Sequence, residues 1–558
     1  MSPLWLKYTP AASLLAVLAI LALSGCAKSA HRPPCPAGKH CLEYGNTTEP
    51  SSLDPQKITL TSEAAIVGEL MEGLATDAPD GSPIPGLASS WETSADGLVW
   101  TFHLRDAVWS DGVPVTAHDF VYAYRRILNP KTASSYAYLV YVLKNGEAAN
   151  NGGPLDKIGA EALDDHTLRL TLEHPAPYLP QLLKHQSFFP VPAHVIEKWG
   201  DKWVQPEHYV GNGPFRLVSW RLGDYVRIAR NPRFRDNDQV CIDQVDFYPT
   251  SDVVSAERRV KSGELDVNNT IQSSRVASLR KPDAMPGYVR IHPYLSTTYL
   301  IFNTHDVAAL RDVRVRQALS MAVDRQFITQ KLARAGQVPT SSFVPATMAG
   351  YVPENGPHPK PYWADWPLER RQAEARRLLA AAGFNASHPL KLSLKSFATT
   401  DTTLIIQAVQ ADWKSVGADI HLVQEEGQIA LQSFRIRDFE TGMVAWVADF
   451  NDPLTFLQLM KSNTGAQNYG DYKSPAYDAL LEKADHEPDG VRRAGYLAQA
   501  EQMIIDDADV APVYNGVNRN LVNPNITGWV DNAVDVHRIR YLCLKGARAE
   551  PATISRGS

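Results

Sequence analysis

Hydrophobic residues along the chain follow two spacings, one typical of strands and one typical of helices. Apolar and polar positions alternate over Val99–Leu104 and over residues 167–172, so both stretches predict β-strands. In residues 313–328 the apolar positions recur three and four residues apart, which predicts one amphipathic helix. Because the two patterns alternate throughout and no repeat of about 20–50 residues is visible, the sequence predicts an α/β fold.

Turn and capping residues indicate where several of these elements begin and end. Thr116 is suited to cap a helix that begins at Ala117, since its hydroxyl can accept a hydrogen bond from a free backbone N–H. Residues 368–382 and 404–416 have helical spacing, and each stretch is followed by a glycine, which commonly ends a helix. The sequence Gly-Asn-Gly-Pro at residues 211–214 predicts a break before the next strand.

The first long apolar stretch, residues 11–23, follows a short segment whose only charge is Lys7. It is too short to cross a bilayer, which needs about 20 residues, but it has the length of the apolar core of a secretory signal. Leu-Ser-Gly-Cys follows at residues 23–26 and resembles a bacterial lipoprotein box, in which the chain is cut before the cysteine and the thiol carries a diacylglycerol.

We therefore expect a lipoprotein signal peptide over residues 1–25, a lipid on Cys26 and a tether over residues 26–41. The alternative is an ordinary signal peptide with an incidental cysteine. No later apolar run approaches transmembrane length, so we expect a body held at the membrane by its lipid alone, in the periplasm or at the cell surface.

The composition is that of an ordinary globular protein with several lobes. Apolar residues make up 44 % of the 558 residues and charged residues 21 %, near the usual averages of about 45–50 % and 25 %. At roughly 100–200 residues per domain, the chain is too long for one simple core. Its formal net charge of −6 argues against a nucleic-acid-binding protein, which usually carries a strongly basic domain.

Four cysteines follow Cys26, and in an exported protein an even number is a candidate set of disulfides. They are Cys35, Cys41, Cys241 and Cys543. Four cysteines allow three pairings, and the sequence alone leaves all of them open, although the short, proline-containing separation favours Cys35 with Cys41. A zinc site is disfavoured because no two of them have C-x₂₋₄-C spacing.

The sequence gives no positive support for catalysis, a metal or a cofactor. It contains no G-x-S-x-G elbow, Walker P-loop, H-E-x-x-H pair or G-x-G-x-x-G fingerprint. The acidic run at residues 236–247 lacks the glycine and the final glutamate of a calcium loop. Glu425 with Glu426, or Asp449 with Asp452, could serve as acid and base in glycoside cleavage, but surface carboxylates are far commoner.

Several motifs recur in a recognisable order along the chain. They are WTFHLR at residues 100–105, WSDG at 109–112, VTAHDFVY at 115–122, DVRVRQAL at 312–319, DR at 324–325, YKSPAYD at 472–478 and VAPVY at 510–514. Over nearly all of residues 45–545, the chain resembles the extracytoplasmic oligopeptide-binding proteins of ABC importers, solute-binding family 5.

This resemblance implies a type II periplasmic-binding-protein-like fold, with three lobes, a hinge and an enclosed ligand cavity. The implied lobes are residues 42–71, 193–295 and 516–558 for lobe I, 72–192 for lobe II, and 296–515 for lobe III. Cys241 and Cys543 then fall in the same lobe, so the resemblance favours their pairing.

The resemblance also implies a function. The protein would be the monomeric substrate-binding component of an ABC importer, capturing extended oligopeptides by their main chain and α-amino group and delivering them to permease subunits in the inner membrane. Main-chain recognition suits a carrier of many peptides, because the main chain is what they share. The alternatives are a non-peptide ligand such as a murein fragment, metal chelate or sugar oligomer, a secreted hydrolase, and a non-transporting sensor or adhesin.

The family pattern assigns roles to individual residues. Asp449 matches the aspartate that pairs with the peptide α-ammonium, and the preceding Ala445, Trp446 and Val447 would bind peptide main chain in strand fashion. The other expected cavity residues are Tyr136, Tyr299, Tyr514 and Thr61. Simpler interpretations are that Asp449 caps the turn before Pro453 and that the aromatic residues belong to the core.

The chain also departs from the family pattern. Ser296 and Val447 occupy the places of two cysteines that form a disulfide near the cavity in well-studied receptors. The positions that receive peptide C-termini hold Met443, Thr402 and Ala333, and Gly427 replaces a tryptophan. Arg435, Arg437 or Arg334 could compensate, although solvated surface is the simpler interpretation of each. We therefore expect longer peptides, or peptides whose C-terminus is not held by a charge.

Overall fold

The computed structural model describes residues 35–351 and 358–546. The predicted signal peptide, the lipidation site Cys26 and most of the predicted tether lie outside the described residues. Within the described part of the chain, no helix combines the length and apolar character needed to cross a membrane.

Strands are found in every part of the described chain. In chain order they are β1 Cys41–Gly45, β2 Ala75–Asp77, β3 Pro83–Pro85, β4 Ala88–Thr93, β5 Val99–Leu104, β6 Ala160–Asp164, β7 Thr167–Thr171, β8 Phe215–Arg221, β9 Tyr225–Arg230, β10 Gln244–Tyr248, β11 Val267–Asn268, β12 Val289–Phe302, β13 Val338–Pro339, β14 Leu390–Phe397, β15 Ala418–Glu425, β16 Thr441–Val447, β17 Val510–Val522, β18 Ile526–Thr527 and β19 Cys543–Leu544.

Helices alternate with these strands. The longer ones are α1 Thr61–Leu70, α2 Ala117–Leu128, α3 Ala193–Trp199, α4 Val253–Lys261, α5 Val313–Ala322, α6 Leu368–Ala381, α7 Thr400–Ser415, α8 Gly427–Arg435, α9 Pro475–Asp485 and α10 Gly490–Asp506. Helical segments of five residues or fewer lie at Gly146–Asn150, Leu179–Leu182, Val276–Leu279, Ala308–Arg311, Arg325–Phe327 and Leu454–Leu457.

One large sheet joins parts of the chain that are far apart in sequence. Its eleven strands run in the order β15-β14-β16-β12-β17-β11-β1-β10-β9-β8, with β13 paired to β17. A separate antiparallel sheet, in the order β4-β5-β7-β6, lies entirely within expected lobe II. Both sheets are covered by helices, which is the arrangement of an α/β protein.

Strands β12 and β17 lie at the centre of the large sheet and cross from expected lobe I to expected lobe III. The boundary at 295/296 falls inside β12, and the boundary at 515/516 falls inside β17. Their pairing shifts register between Pro293 and Thr297. Gly516 lies opposite this irregularity, and a Cβ there would displace the Ser296 hydroxyl from its present position. The two lobes are therefore connected through a locally irregular pair of strands.

Several predicted elements have the expected bounds. In β5 the side chains of Trp100, Phe102 and Leu104 are buried, as the alternating pattern predicts. Helix α2 begins at Ala117, and the carboxylate of Asp119 accepts a hydrogen bond from the Thr116 backbone N–H, which completes a capping box.

The single helix predicted over residues 313–328 is wrong. Helix α5 ends at Ala322, and Val323 has an extended backbone. Asp324 then caps a new short helical segment by accepting a hydrogen bond from the Phe327 N–H. Residues on both sides of the break pack into the same core, so the apolar spacing continues through it and conceals the interruption.

Two disulfides join the four described cysteines. Cys35 is bonded to Cys41, with Cα atoms 5.7 Å apart, and Cys241 is bonded to Cys543, with Cα atoms 5.2 Å apart. These are the pairs favoured by the sequence and by the family resemblance. The second ties β19, near the end of the described chain, to the segment before β10 and so closes lobe I.

Candidate ligand-binding site

A cavity of about 1000 Å³ lies between the three expected lobes. Its wall includes Thr61 of lobe I, Tyr136 of lobe II and Asp449 of lobe III. This volume is at the upper end of the roughly 300–1000 Å³ typical of small-molecule sites. The cavity therefore has room for a ligand larger than a single small metabolite.

Most of the residues expected at the site do line this cavity. They are Thr61, Tyr136, Ala445, Trp446, Val447, Asp449 and Tyr514. Tyr299 is the exception, because its ring is 3 % exposed and packs edge-on against Phe343, with ring centroids 4.8 Å apart. Tyr299 is therefore a core residue and supports the wall from behind.

Asp449 follows the end of β16 and is almost enclosed, with 10 % of its side chain exposed. Its Oδ1 accepts a hydrogen bond from the Tyr136 hydroxyl at 3.2 Å and lies 3.6 Å from Nε2 of His185. Its Oδ2 is buried and has no hydrogen-bond partner among the described residues. Leaving a buried acceptor unpaired costs about 1–3 kcal/mol, and more for a charged group, so this oxygen favours a cationic donor in the cavity.

The simpler interpretation, that Asp449 caps the turn before Pro453, does not fit the contacts. The backbone N–H of Leu454 donates instead to Asp452, at 3.0 Å. Asp452 also forms a bidentate ion pair with Arg493, at 2.7 and 2.9 Å. The carboxylate of Asp449 therefore makes no hydrogen bond within the turn. Asp452 is held in an ion pair, which argues against Asp449 and Asp452 as the acid and base of glycoside cleavage.

Two aromatic residues complete the surroundings of Asp449. Burial, together with the neighbouring Asp449, raises the pKa of Tyr136 well above its ordinary value of 10, so its hydroxyl remains a hydrogen-bond donor. The indole N–H of Trp446 is buried, and within the described chain it donates to nothing. Both groups are in place to contact a ligand bound at Asp449.

The last part of β16 presents a strand edge to the cavity. Its pairing with β14 ends at Met443, whereas its pairing with β12 continues to Val447. The Ala448 N–H donates to Leu295 in β12, at 2.8 Å. Because hydrogen-bonding groups alternate in direction along a strand, the main-chain groups of Ala445 and Val447 point away from β12, where the described chain supplies no further strand.

The cationic residues of the wall differ in how they are compensated. Lys184 and Arg538 both pair with Asp77, at 2.8 and 2.7 Å, and Arg519 pairs with Asp401 at 2.7 Å. Arg435 pairs with no carboxylate of the described residues; its Nη2 donates to the Thr59 hydroxyl at 2.8 Å.

Arg435 thus lines the cavity, contrary to the simpler expectation that it is solvated surface. The other two arginines considered from sequence are not part of the wall: Arg437 pairs with Asp471 at 2.7 Å, and Arg334 ends a helical segment. His185 was not predicted at all. It reaches Asp449 from a different lobe, and no local sequence pattern indicates that contact.

Most of the residues that depart from the family pattern also lie at the site. Ser296 and Val447, which replace the two cysteines, are direct partners in the β12–β16 pairing and both line the cavity. Thr402, Ala333 and Gly427 line it as well. Met443 is buried in β16 and lies outside the wall. The three positions that the family pattern assigns to the peptide C-terminus are therefore neutral here, and Arg435 is a wall residue whose charge no described carboxylate pairs with.

Comparisons with known proteins agree with this arrangement. The chain matches the family model described as bacterial extracellular solute-binding proteins, family 5 middle, over residues 82–468. It is 39 % identical over 503 residues to the periplasmic oligopeptide-binding protein OppA of Salmonella typhimurium. The aligned region covers 88 % of this chain and 90 % of that protein.

Two solved structures are similar over almost their whole length. The complex of Haemophilus influenzae OppA with RPPGFSPFR has a TM-score of 0.86 and 32 % identity, covering 91 % of this chain and 99 % of that one. The Escherichia coli murein tripeptide binding protein MppA has a TM-score of 0.87 and 34 % identity, with the same coverage. For the unliganded open form of MppA the TM-score is only 0.65 over a similar length, so the described conformation is not the open one.

The lobes, the cavity and these similarities lead to one assignment: the chain belongs to family 5 of the bacterial extracellular solute-binding proteins.

Proposed function

We propose that the protein is the substrate-binding component of an ABC importer and captures extended oligopeptides by their α-amino group and main chain. The observation that carries this proposal is the buried, unpartnered Oδ2 of Asp449 in the cavity wall. A peptide α-ammonium supplies both the charge and the hydrogen-bond donors that this oxygen lacks. Tyr136 and His185 hold the other oxygen and orient the carboxylate.

The main chain of the peptide would extend the large sheet. Ala445 and Val447 present their main-chain groups along the edge that β14 leaves unpaired. An extended peptide added to such an edge gains hydrogen bonds that do not depend on its side chains, which suits a receptor for many sequences. The carboxylate end would be received by Arg435, the wall residue whose charge is not balanced within the described chain.

In this proposal the protein acts as a monomer that delivers its ligand to permease subunits and does not alter it. Its location outside the cytoplasm would be fixed by a diacylglycerol on Cys26, with residues 26–41 as the tether. The relatives named above are binding proteins, which supports a non-catalytic role. Recovery of unchanged peptide after long incubation with the protein would separate binding from hydrolysis, because a hydrolase returns shorter products.

The experiment that tests the proposal removes the charge of Asp449. Peptides released from the purified protein are identified by mass spectrometry, and one of them is titrated into wild-type protein and Asp449→Asn by calorimetry. Breaking a buried ion pair costs about 3–5 kcal/mol, so we expect a loss of affinity of roughly two to three orders of magnitude. Glu426→Gln is the matched control, since Glu426 also lines the cavity but is exposed.

Acetylation of the peptide amine provides an independent check. It removes the same ion pair from the ligand side, so acetylated peptide should bind weakly to wild-type protein. Its affinity should fall little further when Asp449 is replaced by asparagine. An unchanged affinity of the variant for free peptide, or equal binding of free and acetylated peptide by wild-type protein, would sink the assignment of Asp449.

A further inference from the structure

Two histidines and one aspartate meet at the cavity wall, among groups that have no part in the proposed peptide contacts; the aspartate and one of the histidines line the cavity. They are His292 of β12 and Asp535 and His537 of the segment before β19, and one ligand atom from each lies within 4.8 Å of the others. Nε2 of His292 is 3.8 Å from Oδ1 of Asp535, and Nε2 of His537 is 2.8 Å from the same oxygen.

The cluster is partly buried and incompletely hydrogen-bonded. The His292 side chain is 9 % exposed, and its Nε2 has no hydrogen-bond partner in the described ranges. The His537 side chain is 3 % exposed, and its ring stacks on Trp529 with centroids 3.8 Å apart. An ordinary His537–Asp535 ion pair would account for two of the three residues, but it would leave the buried nitrogen of His292 unsatisfied.

Asp535 is held in place by its surroundings. Its backbone has a left-handed φ of 54°, and its Oδ1 accepts a hydrogen bond from the Asn520 amide at 2.8 Å. A second carboxylate, Asp531, lies 4.0 Å from Nε2 of His292, but its oxygen accepts the indole N–H of Trp529. The donors that lie close together are therefore two imidazole nitrogens and one carboxylate oxygen.

This donor set favours one class of ion. Imidazole ligands suit zinc, copper and nickel, whereas calcium and magnesium take oxygen ligands. Three protein ligands with one position left open are the usual arrangement around a zinc ion that meets a ligand or water. Asp535 and His537 line the cavity, so the open position would face whatever the cavity contains.

We propose that His292, Asp535 and His537 bind one divalent transition-metal ion of the zinc class, with a coordination position open to the ligand cavity. The site stands independently of the peptide contacts at Asp449. Its Asp535 is oriented by Asn520, as metal-binding carboxylates usually are by a neighbouring donor.

Zinc titration of the untagged, chelator-treated full chain tests this proposal, since a polyhistidine tag would itself bind the metal. Calorimetry should give one ion per chain, and His292→Ala, Asp535→Asn and His537→Ala should each lower the affinity at least tenfold. His421→Ala is the control, because His421 is exposed on β15 and lies outside the cluster. Cobalt titrated in place of zinc should give visible absorption bands that the three variants lose and the control keeps.

A second measurement leaves all three proposed ligands unchanged. Copper bound at the cluster should quench Trp529, whose ring lies against His537, so wild-type protein should lose more fluorescence than Trp529→Phe at one equivalent. The proposal fails if wild-type protein takes up no stoichiometric zinc, if His292→Ala binds zinc as tightly as wild type, or if copper quenches the two proteins equally.

Discussion

Arg435 is the residue with the clearest consequence for peptide selection. Its guanidinium lines the cavity with its charge uncompensated by any described carboxylate. A hydrogen bond to a charged group contributes about 1.5–3 kcal/mol, so Arg435→Gln should lower the affinity for peptides with a free C-terminus by roughly ten- to a hundredfold. Amidated peptides should be affected much less. Arg437→Gln is the control, because Arg437 pairs with Asp471 outside the cavity. Equal losses for both kinds of peptide would contradict this role.

Glu501, in helix α10, gives the fold a pH dependence. Burial raises its pKa from 4.5 to about 8, although the N–H groups of Phe343 and Val344 donate to its Oε1 at 2.5 and 2.9 Å. The folded state therefore binds this proton more tightly than the unfolded state. The resulting stability is fully present below about pH 4.5 and is lost as the pH rises towards 8, by up to about 1.4 kcal/mol per pH unit.

Glu501→Gln should remove this dependence, since the amide oxygen can still accept both N–H groups and cannot ionise. The melting temperature of the variant, measured against wild type, should rise steadily from pH 5 to pH 8. Glu369→Gln is the control because Glu369 is exposed on α6. A constant difference in melting temperature over this range would show that Glu501 is not protonated in the folded protein.

Among single residues, Asp449 was indicated by the family resemblance, because the segment around it matches the family pattern. The sequence could not indicate His185, which comes from a segment distant in the chain and reaches Asp449 only through folding. It named Arg435 beside Arg437 and Arg334 but could not tell which of the three lines the cavity. The placement of Tyr299 failed for a related reason. A strand residue can face the cavity or the layer behind it, and an aromatic side chain fits both.

At the scale of elements, alternation and capping predicted β5 and the start of α2 because those signals are local. The prediction from periodicity was wrong at Val323. Two helical segments bury their apolar faces in one core there, so the apolar spacing continues across the break. The free edge of β16 was implied only by the family resemblance, because its extent depends on where the pairing with β14 stops.

That edge makes a prediction about the peptide and needs no change to the protein. If Ala445 and Val447 pair with peptide main chain, methylation of peptide nitrogens that face β16 removes hydrogen bonds and introduces a clash. Scanning N-methylation along a bound peptide should lower affinity at alternate residues, by about fivefold or more each, at roughly 1 kcal/mol per bond. Losses at no position, or at every position alike, would contradict strand pairing.

For the whole molecule, we expect closure to depend on contacts between the expected lobes. Asp401 of expected lobe III accepts hydrogen bonds from Ser273 and Arg519 of expected lobe I. Tyr178 of expected lobe II stacks on Phe450 of expected lobe III, with ring centroids 5.5 Å apart. No local pattern predicts such contacts, because the residues that make them are far apart in the sequence.

Asp401→Asn should shift the equilibrium between closed and open protein towards the open form. Asp401 and Arg519 are 24 % and 20 % exposed, so solvent screening limits the contact to about 1 kcal/mol, which corresponds to a change of roughly fivefold in the ratio of closed to open protein. Since peptide binds the closed form, its apparent affinity should fall by up to the same factor. Small-angle scattering of peptide-free protein should give a larger radius of gyration for the variant, and saturating peptide should restore the wild-type value. Glu374→Gln, which breaks an ion pair within one helix, should change neither quantity. If peptide-free Asp401→Asn keeps both the radius and the affinity of wild type, the contact between Asp401 and lobe I does not bias closure.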